Sequence, residues 1–302
     1  MAGNRDNKLA ELLRPFVIMD KPTESEVKGV RIFGSETSIP RRPLIYEPSI
    51  LIIASGRKIV HLGDEKYVYD ANNYLVLSVP LPLECETVAT PEEPVLGVAI
   101  SVDAATVSEL LLDMDDSTML SGSVPRGVYA TPLTDEMVDA TARLLKTLSN
   151  PLDARILGPQ IVREIIYHVL RGEQGGALRS LANRNSRFSQ IAKILKRMHS
   201  DFGADIDIST LADEANMSVS SFHSNFKAVT GASPLQYLKS IRLHKARALM
   251  AQDGLSVGTS AGKVGYESVS QFSREFKRFF GYTPTYIAAA QTVVQLPSLG
   301  DI

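Results

Sequence analysis

Residues 218–234 read SVSSFHSNFKAVTGASP, and residues 268–284 read SVSQFSREFKRFFGYTP. Laid on each other, the two stretches agree at 8 of 17 positions: Ser218/Ser268, Val219/Val269, Ser220/Ser270, Phe222/Phe272, Phe226/Phe276, Lys227/Lys277, Gly231/Gly281 and Pro234/Pro284. In each copy apolar residues recur at steps of three and four. They are Val219, Phe222, Phe226 and Val229 in the first and Val269, Phe272, Phe276 and Phe279 in the second. That spacing predicts a helix with these side chains turned inward, ended by Gly231 or Gly281. The positions that change, His223/Ser273, Ser224/Arg274 and Asn225/Glu275, are expected mostly to face away from the core. One scaffold is thus written twice with different outward side chains.

Each copy has a short helix before it. In 207–217, Asp207 or Ser209 caps a helix carrying Leu211 and Ala212, and Ala215-Asn216-Met217 make a tight turn. In 257–267, VGTSAGK supplies the helix and Gly265 the turn. Two helices joined by so short a turn form a helix-turn-helix. Between the units, SPLQYLKSIRLHKARALMAQ (233–252) reads as one helix, capped by Ser233 with Pro234 in its first turn. A connecting helix of roughly 16 residues spans about 24 Å. One DNA turn rises about 34 Å, so with the width of each unit added the two second helices can enter successive major grooves.

The rest of the chain reads differently. Over 44–102, short apolar runs such as SILIIAS, RKIVHL and NYLVLSV are separated by Gly56, Gly63-Asp64, Asn72-Asn73 and the TPEEP turn, which predicts a β-sandwich or barrel. From about 103 to 171 the pattern is helical, interrupted by the irregular DDSTMLSGSVPRGVYATP (115–132). Asp103 is the expected cap of the first helix and Thr134 of the second, and Pro159 kinks or splits the third. The amphipathic helices over 134–171 suit packing on the barrel or on a second copy of themselves. Residues 172–187, GEQGGALRSLANRNSR, are polar and Gly-rich and are expected to be a linker. GEQGGA lacks the Lys-Ser/Thr of a phosphate-binding loop and follows a helix rather than a strand. The expected division is a sensor and dimerisation domain over 1–171, the linker, a DNA-binding domain over 188–290 and a flexible tail over 291–302.

Composition narrows the function. The chain of 302 residues is long for one domain, and its 44% hydrophobic and 22% charged residues are ordinary for a globular protein. No apolar run is long enough to span a bilayer, and the N-terminus is too polar for a signal peptide, so a cytoplasmic location without membrane contact is expected. A single cysteine, Cys85, excludes an internal disulfide framework. Residues 1–186 hold 19 Lys/Arg against 25 Asp/Glu, whereas 187–302 hold 13 against 9. Only the C-terminal part therefore has the charge sign that meets a polyanion.

LADEANMSVSSFHSNFKAVTGASPLQYLKSIRLHKARALM, followed by VGYESVSQFSREFKRFFGYTP, resembles the DNA-binding domain of the AraC family of bacterial transcription regulators across 188–287. A weaker similarity runs over about 20–175, carried largely by NYLVLSVPLPLECETVATPEEP, to the family branch with a cupin-like barrel. The resemblance implies an α+β chain: an N-terminal cupin-like β-barrel with a helical pair, then an all-α domain with two helix-turn-helix units joined by a linker helix. It implies sequence-specific binding to double-stranded promoter DNA, a small-molecule or electrophile effector, a homodimer, and RNA polymerase as partner of an activator. Carried over residue by residue, the base-facing positions are Ser220, His223 and Ser224 in the first unit, and Ser270, Gln271 and Arg274 in the second. Arg274 suits a bidentate contact to guanine; otherwise it is a surface arginine paired with Glu275 or Glu267. Lys227, Lys277 and Arg278 suit phosphates, or are simply solvated. Two departures stand out. The first unit offers Ser and His where relatives often carry longer side chains, and Ser260 takes a place usually apolar, in a short helix that also contains Gly258 and Gly262.

In the barrel segment the residue with distinctive chemistry is Cys85, a possible sensor of an electrophile or oxidant, or else a small core residue. Its neighbours Glu84 and Glu86 would oppose an activated thiolate if they lay near it. A cupin metal site is not expected, since His61 is the only histidine there. No cofactor is expected. Two other function classes stay open: a cupin-type enzyme, which needs a catalytic cluster within 44–102, and a protein-interaction factor with degenerate DNA-binding units.

Overall fold

The computed structural model describes residues 5–114, 124–172, 174–183 and 186–290. A first helix, α1 (Arg5–Leu13), and a 3₁₀ turn (Arg14–Phe16) precede one antiparallel sheet. Its strands are β1 (Thr23–Glu24), β2 (Val30–Ser35), β3 (Ile39–Tyr46), β4 (Ser49–Ser55), β5 (Arg57–Leu62), β6 (Glu65–Asp70), β7 (Asn73–Leu77), β8 (Leu81–Val88), β9 (Val95–Ser101) and β10 (Val128–Pro132). The order is β1-β2-β9-β4-β7-β6-β5-β8-β3, with β10 paired to β7. The sheet curls into a half-barrel. β8 shows how sequence sets its faces: Leu81, Leu83, Cys85 and Thr87 are buried, while the intervening Pro82, Glu84, Glu86 and Val88 are half-exposed. Cys85 and its acidic neighbours therefore point to opposite faces.

The sheet is larger than the 44–102 segment. β1, β2 and most of β3 lie before it, and β10 lies in the stretch read as irregular. Pro40 and Pro43 disguise β3, but β3 is the last strand of the order, where a missing N–H is tolerated. β10 is isolated in sequence and gains its partner from β7, through pairs such as Val128–Leu77 and Ala130–Leu75.

The helices follow the expected caps. α2 (Ala104–Asp113) has Asp103 accepting from Ala105 and Thr106 N–H, and α3 (Asp135–Thr147) is capped by Thr134. The third helical segment splits at Leu157 into α4 (Pro151–Ile156) and α5 (Gly158–Arg171). α3 buries Met137, Val138, Thr141, Leu144 and Leu145 within the chain, packing on α5 and α1. The stretch expected as a linker carries α6 (Gly176–Ala182), whose Ala177 and Leu178 are buried against α2 and α7 (Arg187–Ser200). Two buried alanine and leucine side chains in a Gly-rich string were enough to dock it. The expected flexible tail over 291–302 lies outside the described residues.

The C-terminal half continues with α8 (Ile208–Glu214), α9 (Val219–Thr230), α10 (Pro234–Ala251), α11 (Val257–Lys263), α12 (Val269–Phe280) and α13 (Pro284–Ala290). Asp207, rather than Ser209, caps α8; Ser218 and Ser268 cap α9 and α12. α10 starts with a reciprocal capping box between Ser233 and Gln236. Asn216 (φ 53°) and Gly265 (φ +82°) make the two sharp turns in the left-handed conformation.

The two units differ in how they join the molecule. Leu211, Phe222, Phe226, Val229 and Tyr237 belong to the same apolar core as the half-barrel. Phe272, Phe276, Val264, Met250 and Ile287 form a separate, smaller one. Polar links reinforce the first contact. Gly127 N–H donates to Val229 O at 2.9 Å, and Tyr237 Oη donates to Pro80 O at 2.7 Å.

Candidate nucleic-acid interface and effector cavity

α9 and α12 present matching faces. Ser220, His223, Ser224 and Lys227 are exposed on α9; Ser270, Gln271, Arg274, Lys277 and Arg278 are exposed on α12. The buried faces hold Phe222 against Phe226 in α9 and Phe272 against Phe276 in α12, each pair tilted, with ring centroids 5.5 and 5.4 Å apart. Three outward or inward expectations change. Val219 and Val269, expected inside, are each 46% exposed, because they are the first residue of their helices and precede the turn that meets the core. Asn225 is buried, and its amide donates to Ser221 O at 2.7 Å and Ser221 Oγ at 3.0 Å.

Glu275 is the third. It accepts from Lys239 Nζ (3.1 Å), Tyr266 Oη (2.9 Å) and Gln271 Nε2 (3.2 Å). Burial opposes its charge, but these hydrogen bonds hold its carboxyl below the usual range. Glu275 is therefore an internal brace between α10 and α12, and its partners do not include Arg274. Among the described residues Arg274 makes no ion pair or hydrogen bond, so its five donors remain available to a ligand. Gln271, by contrast, already donates to Glu275.

Arg242 on α10 fixes the frame. Its guanidinium donates to Phe202 O and Ala204 O at 2.8 Å and to Gly265 O at 3.3 Å. It thereby ties the end of α7 to the turn of the second unit. A Cβ at position 265 would meet Gly203 O at 2.8 Å and the Arg242 guanidinium at 3.0 Å, so the turn needs glycine for space as well as for φ.

His199 Nε2 lies 2.9 Å from Tyr237 Oη. The phenol spends its proton on Pro80 O, so the imidazole supplies the N–H and is neutral; burial, helped by Lys245, pushes His199 down to about 4. His244, on α10, sits edge-on to Phe279 and Phe280 with neither ring nitrogen partnered, and burial pushes it down to about 3.

The half-barrel carries a half-open cavity of about 80 Å³ lined by residues that include Phe33, Arg42, Lys58, Cys85 and Thr87. Cys85 is 3% exposed beside the Tyr46 and Tyr69 hydroxyls, which are 3.4 Å apart. His61 points to the other face, near Arg41, Glu84 and Glu86. Among the described residues no three His, Cys, Asp or Glu side chains gather as a metal site would require. Nor is any described helix long and apolar enough to cross a membrane. The sequence pointed to the two exposed helix faces but not to Lys58 and Arg42, since strand alternation alone gave no sign that both cations line the cavity.

Comparison with known proteins agrees with this geometry. Residues 26–177 match the family model described as the AraC-type transcriptional regulator N-terminus, and 211–289 match a helix-turn-helix domain. The HTH-type transcriptional activator RhaS of Enterobacter sp. (strain 638) is 27% identical over 148 residues, 42% of this chain and 53% of that protein. RhaS of Escherichia coli O1:K1 / APEC is 26% identical over 145 residues, 41% of this chain and 52% of that one. The chain thus spans about half the length of these curated relatives. A solved structure of ToxT from Vibrio cholerae O395, bound to (E)-4-(8-methylnaphthalen-1-yl)but-3-enoic acid, shares the fold with TM-score 0.56 and 14% identity, covering 87% of this chain and 100% of that one.

Proposed function

The chain belongs to the family of AraC-type transcriptional regulators, and from that premise we propose how its residues divide the task. α9 and α12 enter successive major grooves. Ser220, His223 and Ser224 read one groove; Ser270, Gln271 and Arg274 read the other. Lys227, Lys277 and Arg278 take phosphates and set the register. The observation that carries the reading is the pair of matched exposed faces on one braced frame, with Arg274 unpaired beside a Glu275 that is fully engaged. The short side chains of α9 favour contacts through water or DNA shape, whereas Arg274 favours direct contact to guanine.

The half-barrel receives a small effector, for which this half-open cavity is the supporting feature, and Cys85 on its wall is the group there open to an electrophile or oxidant. Homodimerisation uses the α4–α5 junction, where Leu152, Ile156 and Leu157 are exposed. RNA polymerase is the partner if the protein activates. The site of action is the cytoplasm, on DNA. The test is a footprint of the full chain on the DNA upstream of its own gene, over a range of salt, with and without small molecules. Protection confined to a defined sequence at physiological salt is expected. Equal affinity for unrelated DNA of the same length would sink the reading and favour an interaction factor.

A further inference from the structure

Lys58 is 4% exposed, and among the described residues its ammonium makes no hydrogen bond or ion pair. Its Nζ sits 5.1 Å from the centre of the Phe33 ring, a partial compensation only. A buried cation without an acid is strongly unfavourable, and chains normally keep one only where something neutralises it. Arg42 lines the same cavity and also lacks an ion pair. The acid on the wall, Asp20, accepts from Ser35 Oγ at 2.6 Å and pairs with neither cation. The lining therefore carries two positive charges against one negative.

Resting on the reading that the half-barrel receives a small effector, we propose that this effector is a small monoanionic carboxylate, held between the Lys58 ammonium and the Arg42 guanidinium with its apolar end on Phe33 and Leu44. The Arg42 fork matches a carboxylate edge, and Lys58 supplies a point charge from the opposite strand. β3 and β5 both border β8, which brings Arg42 and Lys58 to the cavity from either side of Cys85 and Thr87. A buried water needs roughly 10–15 Å³ of such space, so the cavity suits about five to eight non-hydrogen atoms. Arg42 also acts electrostatically on Arg247 and Tyr282 in the C-terminal half, so a carboxylate on Arg42 alters the charge at the contact between half-barrel and second unit.

The test is calorimetric titration of the full chain with propionate and with propionamide, its neutral counterpart, at constant ionic strength. Wild type is compared with Lys58→Met, which keeps the length and removes the charge, and with the half-exposed Arg42→Gln. Saturable binding of propionate is expected, at least tenfold tighter than propionamide and weakened at least tenfold by each substitution. Absence of propionate binding to the wild type, or binding that survives both substitutions, overturns the proposal. Propionamide binding as tightly as propionate overturns the anionic class and leaves a small effector in the half-barrel standing. That broader reading is tested separately, by whether any small molecule changes the DNA footprint.

Discussion

Ser260 takes the place in the second unit that Leu211 takes in the first: both are fully buried, but Ser260 Oγ has no hydrogen-bond partner. An orphaned buried hydroxyl is unfavourable by about 1–3 kcal/mol. Ser260→Ala is therefore expected to stabilise the protein by roughly 1 kcal/mol, read as a raised denaturant midpoint; an unchanged or lowered midpoint would contradict this account of the residue. The buried histidines set a pH dependence. His199 and His244 are pushed down to about 4 and about 3, from an ordinary value of 6.5. Unfolded chains bind protons at these groups below pH 6.5 while the folded chain does not. Stability is therefore full above pH 6.5 and falls as pH drops, by up to about 1.4 kcal/mol per pH unit for each histidine. Melting between pH 7 and 5 should show this decline, and His244→Leu should flatten part of it; a melting temperature that does not fall over this range would count against neutral buried imidazoles. The exposure of His223, Ser224 and Arg274 was legible in the sequence because repetition separated scaffold from variable positions, and Ser260 stood out through the family resemblance. His244 was not: its burial is imposed by Phe279 and Phe280, which come from another helix.

At the level of elements, Gly231 and Gly281 look identical in the repeat, and both end their helices with positive φ, 69° and 84°. Their surroundings differ. A Cβ at Gly231 would lie 2.6 Å from Leu62 Cγ, while at Gly281 it would meet nothing within 4 Å. Gly281→Ala therefore carries only the backbone penalty of about 1 kcal/mol, whereas Gly231→Ala must also displace the half-barrel from the end of α9. Denaturant unfolding should rank Gly231→Ala as clearly the more damaging; equal effects would mean that Leu62 does not hold α9. Sequence periodicity predicted both helices and the ends at these glycines, because those signals are local. It failed for β1 to β3 and β10, whose strand state comes from partners distant in sequence. The helix α6 was likewise hidden by its Gly-rich flanks, since only docking on α2 and α7 makes it an element.

On the scale of the whole molecule, the first unit shares the core of the half-barrel, and the second rests on its own small core with the short helix α11, which contains Gly258 and Gly262. Helices α11 and α12 should exchange amide hydrogens by a lower-energy opening than α9, and specific DNA should slow them most; uniform protection across both units would contradict this division. The two units are held in one frame by α10, 18 residues long, and by the Arg242 and Lys239 contacts. This frame is the basis of the central claim, that α9 and α12 read two successive major grooves. The most direct test is a binding profile in which every base pair of the footprinted site is changed in turn, for the wild type and for Arg274→Ala. The account predicts two blocks of sensitive positions centred about 10–10.5 base pairs apart, with Arg274→Ala flattening a guanine preference by about 1–3 kcal/mol in one block and leaving the other intact. A single block, or a profile that Arg274→Ala leaves unchanged, would contradict it.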